Sequence, residues 1–201
     1  MQSSFLPVKA ICFGLGSLSF RRPLSQLALA IETFHMFRIS RNRFAYDPVF
    51  QIQDIELLKS LDIDVIPPDK AYDYTVRETT LFYMPFCDAV LYEAVLRANW
   101  SAEMLGNVGI LGNNLSSYVE RNSKKKMKRE FPCIFAISDY LDCRPLPQNF
   151  EADDTFSDLC FTTFSISRMP DINNEFWECI GFDTLLAELK NLSIRHETTK
   201  G

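Results

Sequence analysis

Apolar runs and helical stripes alternate along the first half of the chain. Val8 to Phe13 is almost wholly apolar and breaks at Gly14-Leu15-Gly16-Ser17, which predicts a buried strand ending in a glycine turn. Leu24, Leu27, Ala28, Ile31 and Phe34 then recur at helical spacing. Pro23 suits the first turn of that helix, because its missing N–H would have been unpaired anyway. Arg43 to Tyr46 predicts a second strand. Asp47-Pro48 follows it, and opens a helix with Val49, Ile52, Ile55, Leu58 and Leu61 on its buried side. Ile63 to Ile66 predicts a third strand, stopped by Pro67-Pro68.

A polar, tyrosine-bearing loop over 69–77 leads into a strand from Thr79 to Met84, ended by Pro85. A helix from about Asp88 should bury Leu91, Val95 and Ala98, with Trp100 just beyond. Asn107 to Leu111 predicts a fifth strand, and Gly112-Asn113-Asn114 turns it into a helix running through Tyr118 toward a group of lysines. After Phe131 the rhythm fails. Residues 142–155 read as a surface connection, 158–164 as a late antiparallel strand at the sheet edge, 182–192 as a last helix, and 196–201 as a frayed tail.

Five alternations of strand and helix predict an α/β fold: a Rossmann-like, doubly wound, mostly parallel sheet with helices on both faces and a less regular C-terminal part. One domain is expected over 1–195. The reading depends on the first and fourth strands lying side by side, because ligands bind such folds at the crevice beyond the carboxyl ends of the strands.

Composition narrows the function. The 201 residues carry a formal charge of −5, with 47% hydrophobic and 23% charged residues, which is ordinary for a globular domain and argues against nucleic acid as the main partner. No apolar run approaches the roughly 20 residues that cross a bilayer, and the first residues lack the charged and apolar regions of a secretory signal. Membrane residence is therefore not expected. The six cysteines (Cys12, Cys87, Cys133, Cys143, Cys160 and Cys179) form no C-x-x-C pair and have no histidine at zinc-ligand spacing. A reducing cytoplasmic or nuclear setting is the natural expectation.

The candidate chemistry sits at the predicted strand ends. Gly14 and Gly16 with Ser19 nearly fit a dinucleotide fingerprint, but Pro23 delays the helix, so a plain turn that needs glycine competes with an anion site at Ser17 to Arg22. Asp47 stands where a carboxylate would grip a ribose; it would equally serve as an N-cap with Pro48 at the first helical position. Cys87, near a helix N-terminus, could have a lowered thiol pKa, against the plainer reading of a packed thiol. Pro85 ends the fourth strand near the expected crevice. Gly112 and Asn113 form a comparable turn, in which Asn113 or Asn114 would cap the next helix. Lys124 to Arg129 could meet phosphates or an acidic partner, or act as a nuclear address; the competing reading is the solvated C-terminal end of a helix, which favours cations. His35 and His196 are too far apart in sequence to suggest a histidine-based engine.

Several of these segments together resemble the sensitivity-to-red-light-reduced (SRR-like) family of eukaryotic regulatory proteins. The matching stretches are Cys12 to Ser17, Ser25 to Ala28, Tyr46 to Phe50 leading to Glu56, Tyr83-Met84-Pro85 with Cys87, Leu91-Tyr92, Asn99-Trp100, and Gly112-Asn113 with Ser117-Tyr118. Two departures stand out: Phe86 replaces a usual histidine, and Asn114 lies near a usual serine-type residue. The resemblance implies a Rossmann-type regulator in the cytoplasm or nucleus. Plant relatives are tied to circadian-clock input and red-light signalling; other relatives are tied to microtubule stability or haem homeostasis. No established reaction comes with it. The expected ligand contacts are Gly14, Gly16, Ser17, Asp47, Pro85, Cys87, Gly112 and Asn113. The ligand is unknown, with S-adenosylmethionine, a nucleotide, haem or a partner peptide as candidates. The alternative function is an S-adenosylmethionine-dependent methyltransferase, which needs a glycine turn, a strand-two carboxylate and few catalytic side chains.

Overall fold

A computed structural model describes residues 5–146, 156, 158–165 and 176–177. The expected last helix over 182–192, the tail over 196–201, Cys179 and His196 lie outside the described residues. The fold is α/β, built on a seven-stranded, mostly parallel sheet in the order β3-β2-β1-β4-β5-β7-β6. The strands are β1 (Lys9–Phe13), β2 (Arg43–Tyr46), β3 (Asp64–Val65), β4 (Thr80–Met84), β5 (Val108–Asn113), β6 (Leu141–Pro145) and β7 (Leu159–Phe164). β1 lies between β2 and β4 and is parallel to both, with Ile11 opposite Phe44 on one side and Phe82 on the other. The first and fourth strands are therefore neighbours, as expected.

Each strand sends alternate residues to opposite faces. Ala10, Cys12, Ala45, Leu81 and Tyr83 join one apolar cluster with Leu27 and Phe34 of α1 (Arg21–Met36) and Leu58 of α2 (Ile52–Ser60). Ile11, Phe13, Phe82, Met84 and Ile110 join the other, with Val95 of α3 (Ala89–Ala98) and Ile134 of α7 (Pro132–Ile137). Between them run the one-turn α4 (Ala102–Leu105), α5 (Leu115–Arg121) and α6 (Lys124–Glu130).

Several expectations need correction. α1 starts at Arg21, two residues before Pro23; of the expected stripe Leu27 and Phe34 are buried, but Leu24 and Ala28 are exposed, and Gln26, Ala30 and Thr33 complete the buried face. Tyr83 of β4 donates its hydroxyl to the Gln26 carbonyl at 2.7 Å, tying this face to the sheet. α2 begins at Ile52, not at Pro48, and Ile52 points to solvent. The link from β3 to β4 holds only a short 3₁₀ turn at Pro68–Lys70, so that crossover has no α-helix. Within 142–155, read as a surface connection, β6 forms the sheet edge. β7 is antiparallel as expected but lies one strand inward.

Candidate functional site

The turn after β1 places Gly14 and Gly16 at φ of 71° and 77°, a backbone region that glycine adopts without steric cost. Gly14 is also a contact point: a Cβ there would lie 2.5 Å from Cys87 Sγ. The following amides are taken up by the protein's own acids. Gly16 N–H donates to Asp47 Oδ2 at 2.8 Å, and Leu18 N–H to Asp54 Oδ1 at 3.0 Å. The remaining carboxylate oxygens accept from Val49 and Gln51. Asp54 is thereby half of a capping box with Gln51, the N-cap of α2. Asp47 is not the cap expected of it. Ser17 accepts weakly from Ser19 N–H at 3.4 Å. A phosphate in this turn would have to displace two carboxylates of its own sign.

The second turn, after β4, is held from β5. Asn113 Oδ1 accepts from Phe86 N–H at 2.9 Å, while Asn113 Nδ2 donates to the Cys87 carbonyl at 3.2 Å and to Tyr118 Oη at 2.8 Å. Asn113 N–H in turn donates to Tyr92 Oη at 2.9 Å, and the Tyr92 hydroxyl donates to the Met84 carbonyl. Gly112 makes this crossing sterically feasible, since a Cβ would sit 2.6 Å from Tyr92 Oη and 2.7 Å from Met84 O. Burial pushes both the Tyr92 and the Tyr118 phenols upward, so they stay protonated donors. The adjacent asparagines divide the work, for it is Asn114 that caps α5, accepting from Ser116 N–H at 3.0 Å.

Cys87 is buried and donates its thiol to the Phe13 carbonyl at 3.4 Å. Burial, followed by the charges of Asp47 and Asp88, pushes its pKa far above the ordinary thiol value. Of the two readings of Cys87, the packed thiol holds and the lowered pKa does not, because burial disfavours the thiolate. Pro85 is buried beside it. Phe86 instead points outward, 38% exposed at φ of 55°. The Arg22 guanidinium lies over its ring, 4.4 Å from the centroid, a cation–π contact.

These elements border a cleft of about 380 Å³, lined among others by Phe86, Asn113, Ser117, Tyr118, Arg121 and Asp158. Of the eight expected ligand contacts, Asn113 alone is in the lining. Cys87 and Gly112 take part in the packing and hydrogen bonds behind it, Gly14 packs on Cys87, Gly16 and Asp47 bond each other in the first turn, and Ser17 and Pro85 do not reach the cleft. Arg121 and Asp158 pair loosely at 3.8 Å with both side chains exposed, a contact that contributes little.

The basic run does not continue α5. The helix stops at Arg121 and α6 restarts at Lys124, capped by Ser123, whose hydroxyl accepts from Lys126 N–H at 3.3 Å. Lys128 and Arg129 occupy a last turn as expected, but Lys124, Lys125 and Lys126 occupy a first turn, where the helix dipole disfavours cations.

Two buried polar anchors were not expected to be buried: Glu93 gave no sequence signal, and Asn99 stood out only in the family resemblance. Glu93 is fully buried and accepts from Cys133 and Ile134 N–H at 3.0 Å each, capping α7 from another helix, with Arg97 at 3.2 Å. Asn99 is equally buried and holds the 74–76 loop through Val76 N–H and the Tyr74 carbonyl. Among the described residues no group of three His, Cys, Asp or Glu side chains could hold a metal, and no helix is long and apolar enough to cross a membrane.

Comparison with known proteins adds to this geometry. A family model described as the SRR1 domain matches residues 2–163. The chain is 32% identical to an SRR1-like protein of Mus musculus over 69% of its own length and 57% of that protein's. It is 28% identical to an SRR1-like protein of Drosophila melanogaster over 84% of its length and 60% of the relative's. With the Arabidopsis thaliana protein SENSITIVITY TO RED LIGHT REDUCED 1 it shares 31% identity over 58% of its length and 43% of the relative's. The chain thus spans about half the length of the curated relatives it matches. No solved structure matches it.

Proposed function

The chain belongs to the SRR1 domain family, and from that premise we propose that it is a regulatory protein acting through a small-ligand cleft at the ends of β4 and β5. The observation that carries this reading is Phe86. A non-glycine residue at positive φ is uncommon and costs stability, and this one presents a large aromatic ring to solvent. Asn113 and Arg22 hold it there. Arg38, Asn42, Asp62 and Asp158 share the positive φ, but among these five Phe86 is the one that turns a large apolar ring to solvent, and strain combined with an exposed ring suits a recognition surface.

The strand order β3-β2-β1-β4-β5 is the one we read as doubly wound, with the cleft on the rim where that topology binds ligands. Aromatic, amide and hydroxyl groups dominate the lining, which suits recognition better than proton transfer. A methyltransferase reading gains less, because Asp47 uses both carboxylate oxygens on Gly16 and Val49. The name of the Arabidopsis relative ties that protein to red-light sensitivity. For this chain, clock input, the cytoskeleton and haem homeostasis are the pathways in which we place the proposal.

A thermal-shift panel of nucleotides, cofactors and small anions tests the reading. We expect at least one compound to raise the wild-type melting temperature and to have no effect on Ser117→Trp, which fills the cleft from α5. Absence of any shift, with Ser117→Trp restoring a null strain as well as wild type does, overturns it.

A further inference from the structure

At the antiparallel edge of the sheet two cysteines share one face. Cys143 of β6 stands opposite Thr162 of β7, and Cys160 is two residues from Thr162, opposite Pro145. Side chains two apart on a strand lie on the same side, so the two thiols are diagonal neighbours. Their polar atoms form a cluster: Cys160 Sγ and Thr162 Oγ1 are 3.3 Å apart, and Cys143 Sγ donates to Asn114 Oδ1 at 3.8 Å.

The two sulfurs are not equivalent. Cys160 is 2% exposed, whereas Cys143 is half-buried; the other described cysteines, Cys12, Cys87 and Cys133, are all buried. Pairing with Cys160 favours the Cys143 thiolate, and the same pairing, followed by burial, holds Cys160 protonated. This is an accessible nucleophilic thiol with a second thiol behind it, the arrangement that reversible oxidation requires.

We infer that Cys143 and Cys160 form a peroxide-responsive dithiol, with Cys143 the attacking sulfur and Cys160 the resolving one. The Cys143 thiolate attacks one peroxide oxygen; the S–O bond forms, the O–O bond breaks, and the departing hydroxide takes up a proton to leave as water. The resulting sulfenic acid is then attacked by the Cys160 sulfur, which gives up its proton. The S–S bond forms, the S–O bond breaks, and a second water leaves. Two thiols and one peroxide thus yield one disulfide and two waters.

The position in the sheet makes this bond regulatory rather than structural. Diagonal neighbours in an antiparallel pair have Cα atoms roughly 7–8 Å apart, beyond the usual disulfide span of about 4.4–6.8 Å. Closure therefore requires β6 to shift, and β6 can, because among the described residues it is the edge strand and pairs only with β7. A bond formed under such strain is readily reduced again. Its formation also withdraws Cys143 Sγ from Asn114, which caps the helix carrying Ser117, Tyr118 and Arg121 into the cleft.

Peptide mapping by mass spectrometry after treating the reduced protein with hydrogen peroxide, then blocking free thiols, tests this. The expected result is a Cys143–Cys160 crosslink that dithiothreitol reverses. Cys160→Ala should stop at a Cys143 sulfenic acid trapped by dimedone, and Cys143→Ser should leave Cys160 unoxidised. A crosslink of Cys143 to another cysteine, Cys179 included, overturns the inference. So does wild-type Cys143 that accumulates sulfenic acid to the same extent as in Cys160→Ala. The wild-type map alone decides if a variant fails to fold.

Discussion

The backbone N–H of Gly16 is bonded to the Asp47 carboxylate at 2.8 Å, across 31 residues of chain. The glycine turn that would ordinarily be open to a phosphate is closed by the end of the neighbouring strand. Asp54 repeats the device on Leu18 from 36 residues away. The two acids tie the β1–α1 turn to the β2–α2 segment.

Asp47→Ala leaves the Gly16 and Val49 amides without their acceptor in a partly buried place. The expected loss is about 1–3 kcal/mol, read as a lower urea midpoint with an unchanged slope. Asp47→Asn should recover only part of it, because an amide offers one acceptor oxygen where two N–H groups need one each. A wild-type midpoint for Asp47→Ala would show that the turn holds without the carboxylate.

Gly112→Ala tests the crossing of β4 and β5. Its Cβ would intrude on Tyr92 Oη and on the Met84 carbonyl, and the backbone member of that pair cannot step aside. We expect a destabilisation of roughly 1–3 kcal/mol from overpacking, together with faster exchange of the Asn113 amide as its bond to Tyr92 opens. An alanine variant as stable as wild type would mean that the tyrosine has room to move.

Much of this framework could be read from the residues. β1, β2, β4 and β5 are signalled by apolar runs bounded by Gly or Pro, and the Asn113 turn lies where the fifth run ends. The misses share a cause: a buried polar group looks like an exposed one in sequence. Gln26 and Thr33 disguise the inner face of α1, and Asp54 and Glu93 read as ordinary solvent-facing acids. β6 is hidden because its alternation of Leu141 and Cys143 with Asp142 and Arg144 is short and ends in Pro145, a composition that reads as a loop and suits an edge strand. The break before α6 did leave a trace in Ser123, an N-cap residue.

Glu93 supplies the sharpest test of such a hidden anchor. Glu93→Ala leaves two buried amides of α7 and the Arg97 guanidinium without this carboxylate. The expected loss is about 3–5 kcal/mol, a large share of the roughly 5–15 kcal/mol that holds an ordinary domain. Glu93→Gln should fall between, since it keeps a single acceptor oxygen. Circular dichroism melts of the three proteins in that order of stability would confirm the role; equal melting temperatures would refute it.

Lys124→Glu runs the other way. Lys124 opens α6, where three neighbouring lysines meet the positive end of the helix. Reversing its charge places an acid in the favourable turn and sets it four residues before Lys128, a stabilising spacing. The gain should be roughly 0.3–1 kcal/mol at low ionic strength and should fade as salt screens it. A loss of stability would show that these lysines are engaged by something the helix itself does not provide.

The last prediction concerns pH. Hydrogen bonds from Cys160 and then Thr162 lower the Cys143 pKa to about 7, against opposing contributions from burial and Asp142. Because the thiolate is the reacting form, alkylation of Cys143 by iodoacetamide should rise through a midpoint near pH 7 and level off above it. An unperturbed thiol titrates near 8.5 and would still be accelerating there. Cys160→Ala removes the largest donor to the thiolate, so its midpoint should move upward; a profile unchanged by that substitution would place the cause elsewhere. Cys87 provides the internal contrast, since burial pushes its thiol far upward. In the folded protein it should stay unmodified across the whole range, and it should label only under denaturing conditions.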